Sequence, residues 1–182
     1  MKATYKATAL RTKHIEALSN YWLTASDDFL KSMGADPAKM PSSQEWFNTL
    51  LNQITSPLRE KESMHTIWLE DEEAIGHCNV NEIEFGKEGY MHLHIWHEKH
   101  RAKGIGAELI KDSLFIFFTV LELDKVYCEP SSYNPAPNKT LEKIGFTFVK
   151  KIRKAPSSLA LEQDLNQWVI NYEDFKMLRV LS

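Results

Sequence analysis

A short glycine-containing segment carries the sharpest chemical signal in the sequence. Arg101-Ala102-Lys103-Gly104-Ile105-Gly106 stands between a stretch with strand alternation and a stretch with helical periodicity. Glycine lets a backbone turn without a Cβ clash, and the N–H groups at a helix N-terminus attract anions such as phosphate. Arg101 and Lys103 add positive charge. The segment predicts a phosphate site, although an ordinary turn leading into a helix explains two glycines equally well.

Two widespread phosphate motifs do not fit this segment. A Walker loop ends in Gly-Lys-Ser or Gly-Lys-Thr, and no such triplet follows Gly104. A dinucleotide fingerprint needs a third glycine and begins a strand–helix–strand unit. Any anion bound here is therefore expected to belong to another kind of ligand.

Histidines lie on the predicted strand that precedes the glycine segment. His92 and His94 alternate, so both face the same side of a strand. Histidine titrates near pH 6.5, which suits a general base, but both residues could instead be hydrogen-bonded sheet histidines. A metal site that also uses His97 and His100 is a third alternative, and the usual ligand spacing is absent.

The hydrophobic pattern predicts the elements that would position these residues. Strands are predicted at residues 4–10, 65–70, 74–85, 90–96, 125–129, 146–152 and 168–172. Helices are predicted at residues 14–31, from 42 until Pro57, at 104–121 and at 134–144. Ser42 and Glu45 form a capping-box pattern, and Gly145 suits the left-handed position after a helix. This order predicts a single mixed α/β or α+β domain.

Composition and charge narrow the class of protein. The chain has 182 residues, and domains usually have about 100–200, so one domain over residues 1–182 is expected. A net charge of −3 argues against nucleic acid as a partner. The longest uncharged apolar run, Ser113 to Leu121, is too short to span a bilayer. No secretory signal is visible, so we expect a cytoplasmic protein with reduced cysteines.

A second motif follows one predicted helix and one predicted strand later. The two motifs are Arg101-x-x-Gly104-x-Gly106 and Asn134…Leu141-Glu142-Lys143-x-Gly145-Phe146. Together they resemble the GNAT superfamily of acyl-CoA-dependent N-acetyltransferases. Cys128-Glu129-Pro130 is similar to the branch that contains aminoglycoside 6′-N-acetyltransferases and ribosomal-protein acetyltransferases. The resemblance covers about residues 1–154, which leaves a C-terminal extension at 155–182. It implies a GNAT fold, with a mixed twisted sheet that is splayed at the cofactor site and flanked by helices.

The resemblance implies acetyl-CoA as the co-substrate and no metal. Backbone N–H groups of the glycine segment would hold the pyrophosphate, and the end of the preceding strand would pair with the pantetheine arm. Asn134 would bind the arm near the thioester, and Asn138 and Lys139 would reach the adenosine. The implied cofactor-binding residues are Ile95, Trp96, His97, Arg101, Ala102, Lys103, Gly104, Ile105, Gly106, Asn134, Asn138 and Lys139.

The implied reaction is direct transfer of an acetyl group to a primary amine. An alkylammonium with a pKa near 10 must lose a proton before it can attack, so the site needs a base or a water chain. Arylalkylamine acetyltransferases carry two histidines on this strand. His92 falls on one of those positions, and Tyr90 occupies the other. Glu129 ends the strand that borders the cleft and is a second candidate, unless it is an ordinary solvated carboxylate.

The group that protonates the leaving thiolate is less clear from the sequence. Many members of the superfamily use a tyrosine seven residues after the motif asparagine, where this chain has Leu141. Tyr133 is the alternative donor. Cys78 or Cys128 could carry the acetyl group, but each is better explained as a small buried apolar residue. The candidate catalytic residues are His92, His94, Glu129 and Tyr133.

The acceptor and the assembly remain open at this stage. Aminoglycosides, polyamines, small metabolites and protein N-termini are all compatible, so a small-molecule or peptide amine is expected. Glu82, Glu84 and Glu129 favour a cationic acceptor. Two alternatives stand beside the enzyme: a non-catalytic acyl-CoA-binding module, with Leu141 as the sign of a lost acid, and a small hydrolase that uses the histidines on a metal. No nucleic-acid or membrane partner is expected, and a homodimer is one possible assembly.

Overall fold

A seven-stranded sheet organises the chain. The structure is a computed structural model that describes residues 3–101 and 104–180. Its strands within these ranges are β1 (Tyr5–Ala9), β2 (Ser63–Glu70), β3 (Glu73–Glu84), β4 (Glu88–Ile95), β5 (Lys125–Cys128), β6 (Thr147–Lys154) and β7 (Gln163–Asn171). Their spatial order is β1-β2-β3-β4-β5-β7-β6. Only the β4–β5 pair among these strands runs parallel, so the sheet is mixed.

Helices cover both faces of this sheet. They are α1 (Ile15–Leu23), α2 (Asp27–Ser32), α3 (Ser43–Thr55), α4 (Ile105–Val120), α5 (Pro135–Ile144) and α6 (Tyr172–Val180). One apolar core joins α4, α5 and α6 to the sheet through fully buried residues such as Leu114, Phe117 and Leu141. A second core joins α1 and α3 to β2 on the other face, with Leu18 and Leu50 at its centre.

Local sequence signals explain most helix ends. The capping box at the start of α3 is confirmed, because Ser42 and Glu45 bond each other reciprocally. Gly145 ends α5 with φ +105°, as its type predicts. The single helix predicted at 14–31 is instead α1 and α2. Ser26 separates them, because its Oγ accepts a hydrogen bond from the Phe29 N–H and caps a new helix.

The segment after residue 154 completes the sheet. The predicted strand at 168–172 begins five residues earlier, at Gln163, and forms β7. β7 lies between β5 and β6 and pairs antiparallel with both. The boundary expected near residue 154 therefore does not separate a core from an extension, since the extension supplies an interior strand. The helix α6 that follows was not predicted.

β4 and β5 diverge in the middle of the sheet. They pair only over residues 88–91 and 125–128, although β4 continues to Ile95. After Cys128 the chain follows β7 instead, with Asn166 N–H donating to the Pro130 carbonyl at 3.0 Å. The edge of β4 beyond Met91 is therefore open toward β5, and α4 begins beside this opening.

Membrane insertion through a helix is not supported by the described residues. None of the helices within 3–101 and 104–180 combines the length and the apolar character that a membrane span requires.

Candidate active site

The N-terminus of α4 is built to accept an anion. Gly104 precedes the helix with φ +77°, in the left-handed region that favours glycine. Apart from its chain neighbours, no atom of the described residues lies within 4 Å of a Cβ at Gly104, so these residues leave the space in front of the helix open. The first N–H groups of an α-helix have no partner within the helix and carry its positive dipole end. Gly104, Ile105 and Gly106 therefore form a cradle that suits a phosphate group.

Arg101, Ala102 and Lys103 precede this cradle in the sequence. Ala102 and Lys103 lie outside the described residues, so their implied role stays a prediction. Arg101 is exposed, and its guanidinium donates a hydrogen bond to the Ile95 carbonyl at 3.2 Å. This contact holds a positive charge at the open end of β4, close to the helix N-terminus.

The end of β4 presents only part of the implied pantetheine edge. In an antiparallel pair, successive residues point their backbone groups to opposite sides. Trp96 N–H donates to the Ile75 carbonyl of β3 at 2.9 Å, so Ile95 faces the open side. The His97 carbonyl accepts from His100 N–H within a short turn. Trp96 is a correction, because its backbone N–H and its indole are both used inside the protein.

α5 places three implied cofactor residues in two different environments. Asn134 is exposed at the helix start, where its Oδ1 accepts from Ala136 N–H at 3.3 Å, and Lys139 is exposed on the helix. Asn138 is a correction, because it is buried and turned inward. Its amide donates to the Ser131 and Asn134 carbonyls, and its Oδ1 accepts from β7. Asn138 thus fastens α5 and does not reach toward a ligand.

A cavity of about 580 Å³ lies between the sheet and helices α1 and α3. Its helical wall carries Trp22 and Trp46, and a loop around residues 156–160 also borders it. Its sheet wall is polar and consists of His65, His77, Asn79, His92 and His94. The cavity thus combines aromatic and imidazole surfaces and lies beside the opening between β4 and β5.

Strand register explains why these polar residues meet. His65, Asn79 and His92 are cross-strand partners and form one row over β2, β3 and β4. His77 and His94 are partners in the next row, with ring centroids 5.0 Å apart in a stacked arrangement. The sequence signalled His92 and His94 through alternation along one strand. His65 and His77 were missed, because only the pairing register brings them to the same wall.

The wall histidines are neutral at pH 7. Burial lowers the pKa of His92 to about 4 and that of His94 to about 3. The Trp96 indole, which can only donate, bonds His77 Nδ1 at 2.8 Å. His77 therefore keeps a lone pair on Nδ1 and cannot be doubly protonated. His92 Nε2 is buried and has no hydrogen-bond partner among the described residues.

Glu129 is buried and held in an ion pair. Its side chain is 1% exposed, and its Oε2 lies 2.8 Å from Lys154 Nζ. Gln167 donates to its Oε1 at 2.6 Å. Glu129 is therefore not the solvated strand-end carboxylate that was the alternative. Lys154 and Gln167 were missed, because they come from β6 and β7, which approach β5 only through the sheet topology.

Tyr133 lies on the surface, away from the cavity. Its side chain is exposed, and its hydroxyl donates to Asp164 Oδ2 at 3.0 Å. It is not among the residues that line the cavity. The role of Tyr133 as the thiolate donor therefore stays a prediction, and Leu141, at the position of the missing tyrosine, is completely buried in the core.

Acidic groups occupy the cavity's rim, and the cysteines lie elsewhere. Glu82 is exposed at the rim, and Glu84 pairs with Lys87 in the turn. Burial raises the pKa of Cys128 to about 12, and that of Cys78 well above its usual range. Neither cysteine offers the thiolate that an acyl-cysteine route requires. The described ranges also contain no cluster of three or more His, Cys, Asp or Glu residues arranged to hold a metal ion.

A mixed sheet that opens between two parallel strands, with a helix N-terminus at the opening, defines a GNAT-type transferase. A family model described as an acetyltransferase (GNAT) domain matches residues 8–147. The chain belongs to this family of GNAT acetyltransferases. No curated protein sequence matches the chain significantly.

Solved structures share the complete fold. A spermidine N-acetyltransferase from Vibrio cholerae, in complex with CoA and spermine, is 19% identical with a TM-score of 0.75, and the match covers 94% of this chain and 98% of that chain. The ribosomal-protein α-N-acetyltransferase RimL, in complex with coenzyme A, is 17% identical with a TM-score of 0.73, and the match covers 91% and 92%. A dodecameric form of the Vibrio cholerae enzyme is 18% identical, with a TM-score of 0.71 over 94% and 95%.

Proposed function

We propose that this protein is an N-acetyltransferase that transfers the acetyl group of acetyl-CoA directly to a primary amine. One observation carries the proposal. The open edge of β4 has the N-terminus of α4 on one side and the histidine-lined cavity on the other. A phosphate-bearing donor and an amine acceptor can thus meet at the same opening. The buried cysteines favour direct transfer over a covalent acyl-enzyme.

The residues present fit coenzyme A. The N–H groups at Ile105 and Gly106 and the open space at Gly104 suit its pyrophosphate. Arg101 lies at the same place with a positive charge, and Ile95 presents backbone groups to the open edge. Asn134 and Lys139 are exposed along α5. Ala102, Lys103 and the His97 N–H would add to this set.

Bound acetyl-CoA would supply an electrophilic thioester carbonyl and a thiol leaving group. The neutral imidazoles and aromatic rings inside the cavity favour the neutral form of an entering amine, because burial raises the free energy of an ammonium. As the amine nitrogen shares its lone pair, its N–H groups become strongly acidic. A weakly basic imidazole can then accept the proton, and His92 Nε2 is placed for that role.

The thiolate can leave with little stabilisation by protein groups. A thiol has a pKa near 8.5, so its thiolate is a stable leaving group at neutral pH. Tyr133 would have to leave Asp164 to protonate it. We therefore propose that the proton accepted by His92 returns through water to the leaving thiolate, and that Leu141 does not mark a lost activity.

The acceptor class, the cellular location and the assembly are part of the same proposal. The similar solved enzymes act on spermidine or a ribosomal protein, as their names state. For this chain we propose a small-molecule or peptide amine as acceptor and a cytoplasmic location. A homodimer remains one possible assembly, and size-exclusion chromatography with light scattering would test it.

Thiol release from acetyl-CoA tests the proposed activity. The purified full chain is assayed with amines of four classes: an aminoglycoside, a polyamine, a small monoamine and a peptide N-terminus. We expect release of thiol and formation of the acetylated amine in equal amounts with at least one class. Binding of acetyl-CoA without turnover in any class would favour the non-catalytic module.

A histidine variant tests the assigned base in the same assay. We expect His92→Ala to lower kcat by about 10²-fold or more, the range for loss of a general base, with unchanged affinity for acetyl-CoA. His97→Ala is the control on the same segment, because His97 is exposed and lies outside the cavity. An unchanged kcat in His92→Ala would exclude His92 as the base.

A further inference from the structure

An ion pair between the buried Glu129 and the partly exposed Lys154 lies near the proposed base. Glu129, at the end of β5, pairs with Lys154 at the end of β6. The Lys154 ammonium also lies 4.8 Å from the centre of the Tyr90 ring, which stacks on Tyr127. A carboxylate oxygen and an aromatic face are the two groups that bind an organic ammonium well. The protein's own lysine therefore fills a complete ammonium site.

This pair acts on His92 with two opposite charges. Met91 and Cys128 are the last partners in the parallel pair of β4 and β5. His92 follows Met91, and Glu129 follows Cys128. The two side chains therefore lie on the same face, where the strands begin to diverge. Glu129 raises the pKa of His92 and Lys154 lowers it, while burial has the largest effect. The other groups around His92 are the imidazoles of His65, His77 and His94, which are neutral at pH 7. The local charge near the base is thus close to zero.

The Glu129–Lys154 pair lies behind His92, which lines the cavity, and the cavity's own walls carry no buried charge. Trp22 packs edge-on against His94, with ring centroids 4.8 Å apart, and Trp46 packs beside Trp22 in the cavity wall. The carboxylates that line the cavity, Glu62 and Glu82, are both exposed. Exposed carboxylates are solvated and attract a cation only weakly. Flat rings and neutral imidazoles suit an uncharged, planar substrate body.

We propose that Lys154 sets acceptor specificity: by occupying the ammonium site on Glu129, it makes the enzyme prefer a monoamine with an uncharged aromatic body over a diamine or polyamine. This inference rests on the proposed acetyltransferase activity. It differs from the expectation of a cationic acceptor, which was drawn from Glu82, Glu84 and Glu129 in the sequence. A diamine needs a place for its second ammonium, and here that place is taken.

Matched amines and variants test this inference. Thiol release is measured with 2-phenylethylamine, 1,5-diaminopentane and spermidine on the full chain. We expect the wild-type kcat/KM for 2-phenylethylamine to exceed the values for 1,5-diaminopentane and for spermidine by about tenfold or more. The reason is that a desolvated second ammonium without a partner disfavours binding. In Lys154→Met, the second ammonium of 1,5-diaminopentane can take the vacated site, so its KM falls about tenfold while its kcat changes little.

Three further variants separate charge from structure. Lys154→Arg keeps the charge and retains the wild-type preference. The double variant Glu129→Gln, Lys154→Met removes both charges and restores that preference. Lys151→Met is the control, because Lys151 is exposed on the same strand and is three residues away on the opposite face.

A titration gives a readout besides activity. In Lys154→Met, the NMR-detected pKa of His92 rises, since the effect of Glu129 is no longer balanced. An unchanged pKa would overturn the inference, and so would a wild-type enzyme that prefers diamines or spermidine. Failure of every amine to react would overturn the proposed function instead. The wild-type comparison needs no variant, so a misfolded Lys154→Met protein does not leave the inference undecided.

Discussion

Gly104 shows how one residue can serve both backbone and ligand. Its φ of +77° lies in the region where an L side chain is strained, and a Cβ there would project into open space. The open space lies in front of α4, where the helix dipole is positive. The glycine is therefore explained by the turn and by the need to leave the helix N-terminus accessible.

We expect Gly104→Glu to abolish binding of acetyl-CoA. The side chain would fill the phosphate cradle and bring a negative charge to the helix N-terminus, where it would compete with the pyrophosphate. Isothermal titration calorimetry with acetyl-CoA measures the effect directly. Normal binding by this variant would show that the pyrophosphate lies elsewhere.

Gly86→Glu is the matched control for that variant. Gly86 has φ +74° and equally open space around its Cβ position, but it lies in the turn between β3 and β4. Both substitutions therefore introduce the same backbone strain. We expect Gly86→Glu to bind acetyl-CoA like the wild type, so a difference between the two variants reports on the cradle.

The sequence predicts site residues well where one segment contains the signal. Gly104 and His92 follow from spacing within a single stretch. His77 and Lys154 could not be predicted, because their roles depend on which strands are neighbours and in which register. Asn138 was misassigned for the same reason: its inward contacts exist only because β7 lies beside β5.

Elements were predictable to the extent that their ends carry local signals. Ser42 and Gly145 mark helix ends through contacts within a few residues, and both were predicted. The break before Ser26 was missed, because apolar spacing continues across it at Ala25 and Phe29. The position of β7 between β5 and β6 depends on long-range pairing, which no local pattern encodes.

Asn138 is the contact through which α5 is fastened to β7. We expect Asn138→Ala to lower the free energy of unfolding by about 2–3 kcal/mol, because the buried Trp168 N–H and the side-chain amide of Asn166 lose the oxygen to which they donate. Urea unfolding followed by circular dichroism measures this. The affinity of the folded variant for acetyl-CoA is expected to change little.

Asn134→Ala provides the contrast on the same helix. It removes one exposed N-cap, which costs about 1 kcal/mol, but it also removes a residue implied in cofactor binding. We expect it to be more stable than Asn138→Ala and to bind acetyl-CoA more weakly. The reverse order in both measurements would reassign the two asparagines.

The whole molecule uses its sheet as a partition. On one face α4 and its neighbours form an apolar core, and on the other face β2, β3 and β4 present imidazoles to a cavity. The net charge of −3 conceals this organisation. Because the wall histidines are neutral in the folded protein, the free energy of unfolding depends on pH.

We expect the protein to lose stability as the pH falls below about 6.5. The pKa values in the folded state are about 4 for His92 and about 3 for His65 and His94, against about 6.5 in an unfolded chain. The unfolded state therefore binds more protons between these values, and the free energy of unfolding falls with falling pH. Each histidine contributes a slope of at most about 1.4 kcal/mol per pH unit.

Urea unfolding at pH 7.5, 6.5 and 5.5 measures this slope in a window above the ordinary carboxylate pKa values. His65→Gln removes one of the four wall imidazoles, one that is not assigned to catalysis, so the slope between pH 6.5 and 5.5 is expected to flatten by about one quarter. His97→Gln, at an exposed position, is expected to keep the wild-type slope. If wild-type stability were constant over this window, the imidazoles would be taking up protons in the folded state. The neutral wall required for acceptor binding would then not exist at pH 5.5, and kcat/KM should fall over the same interval.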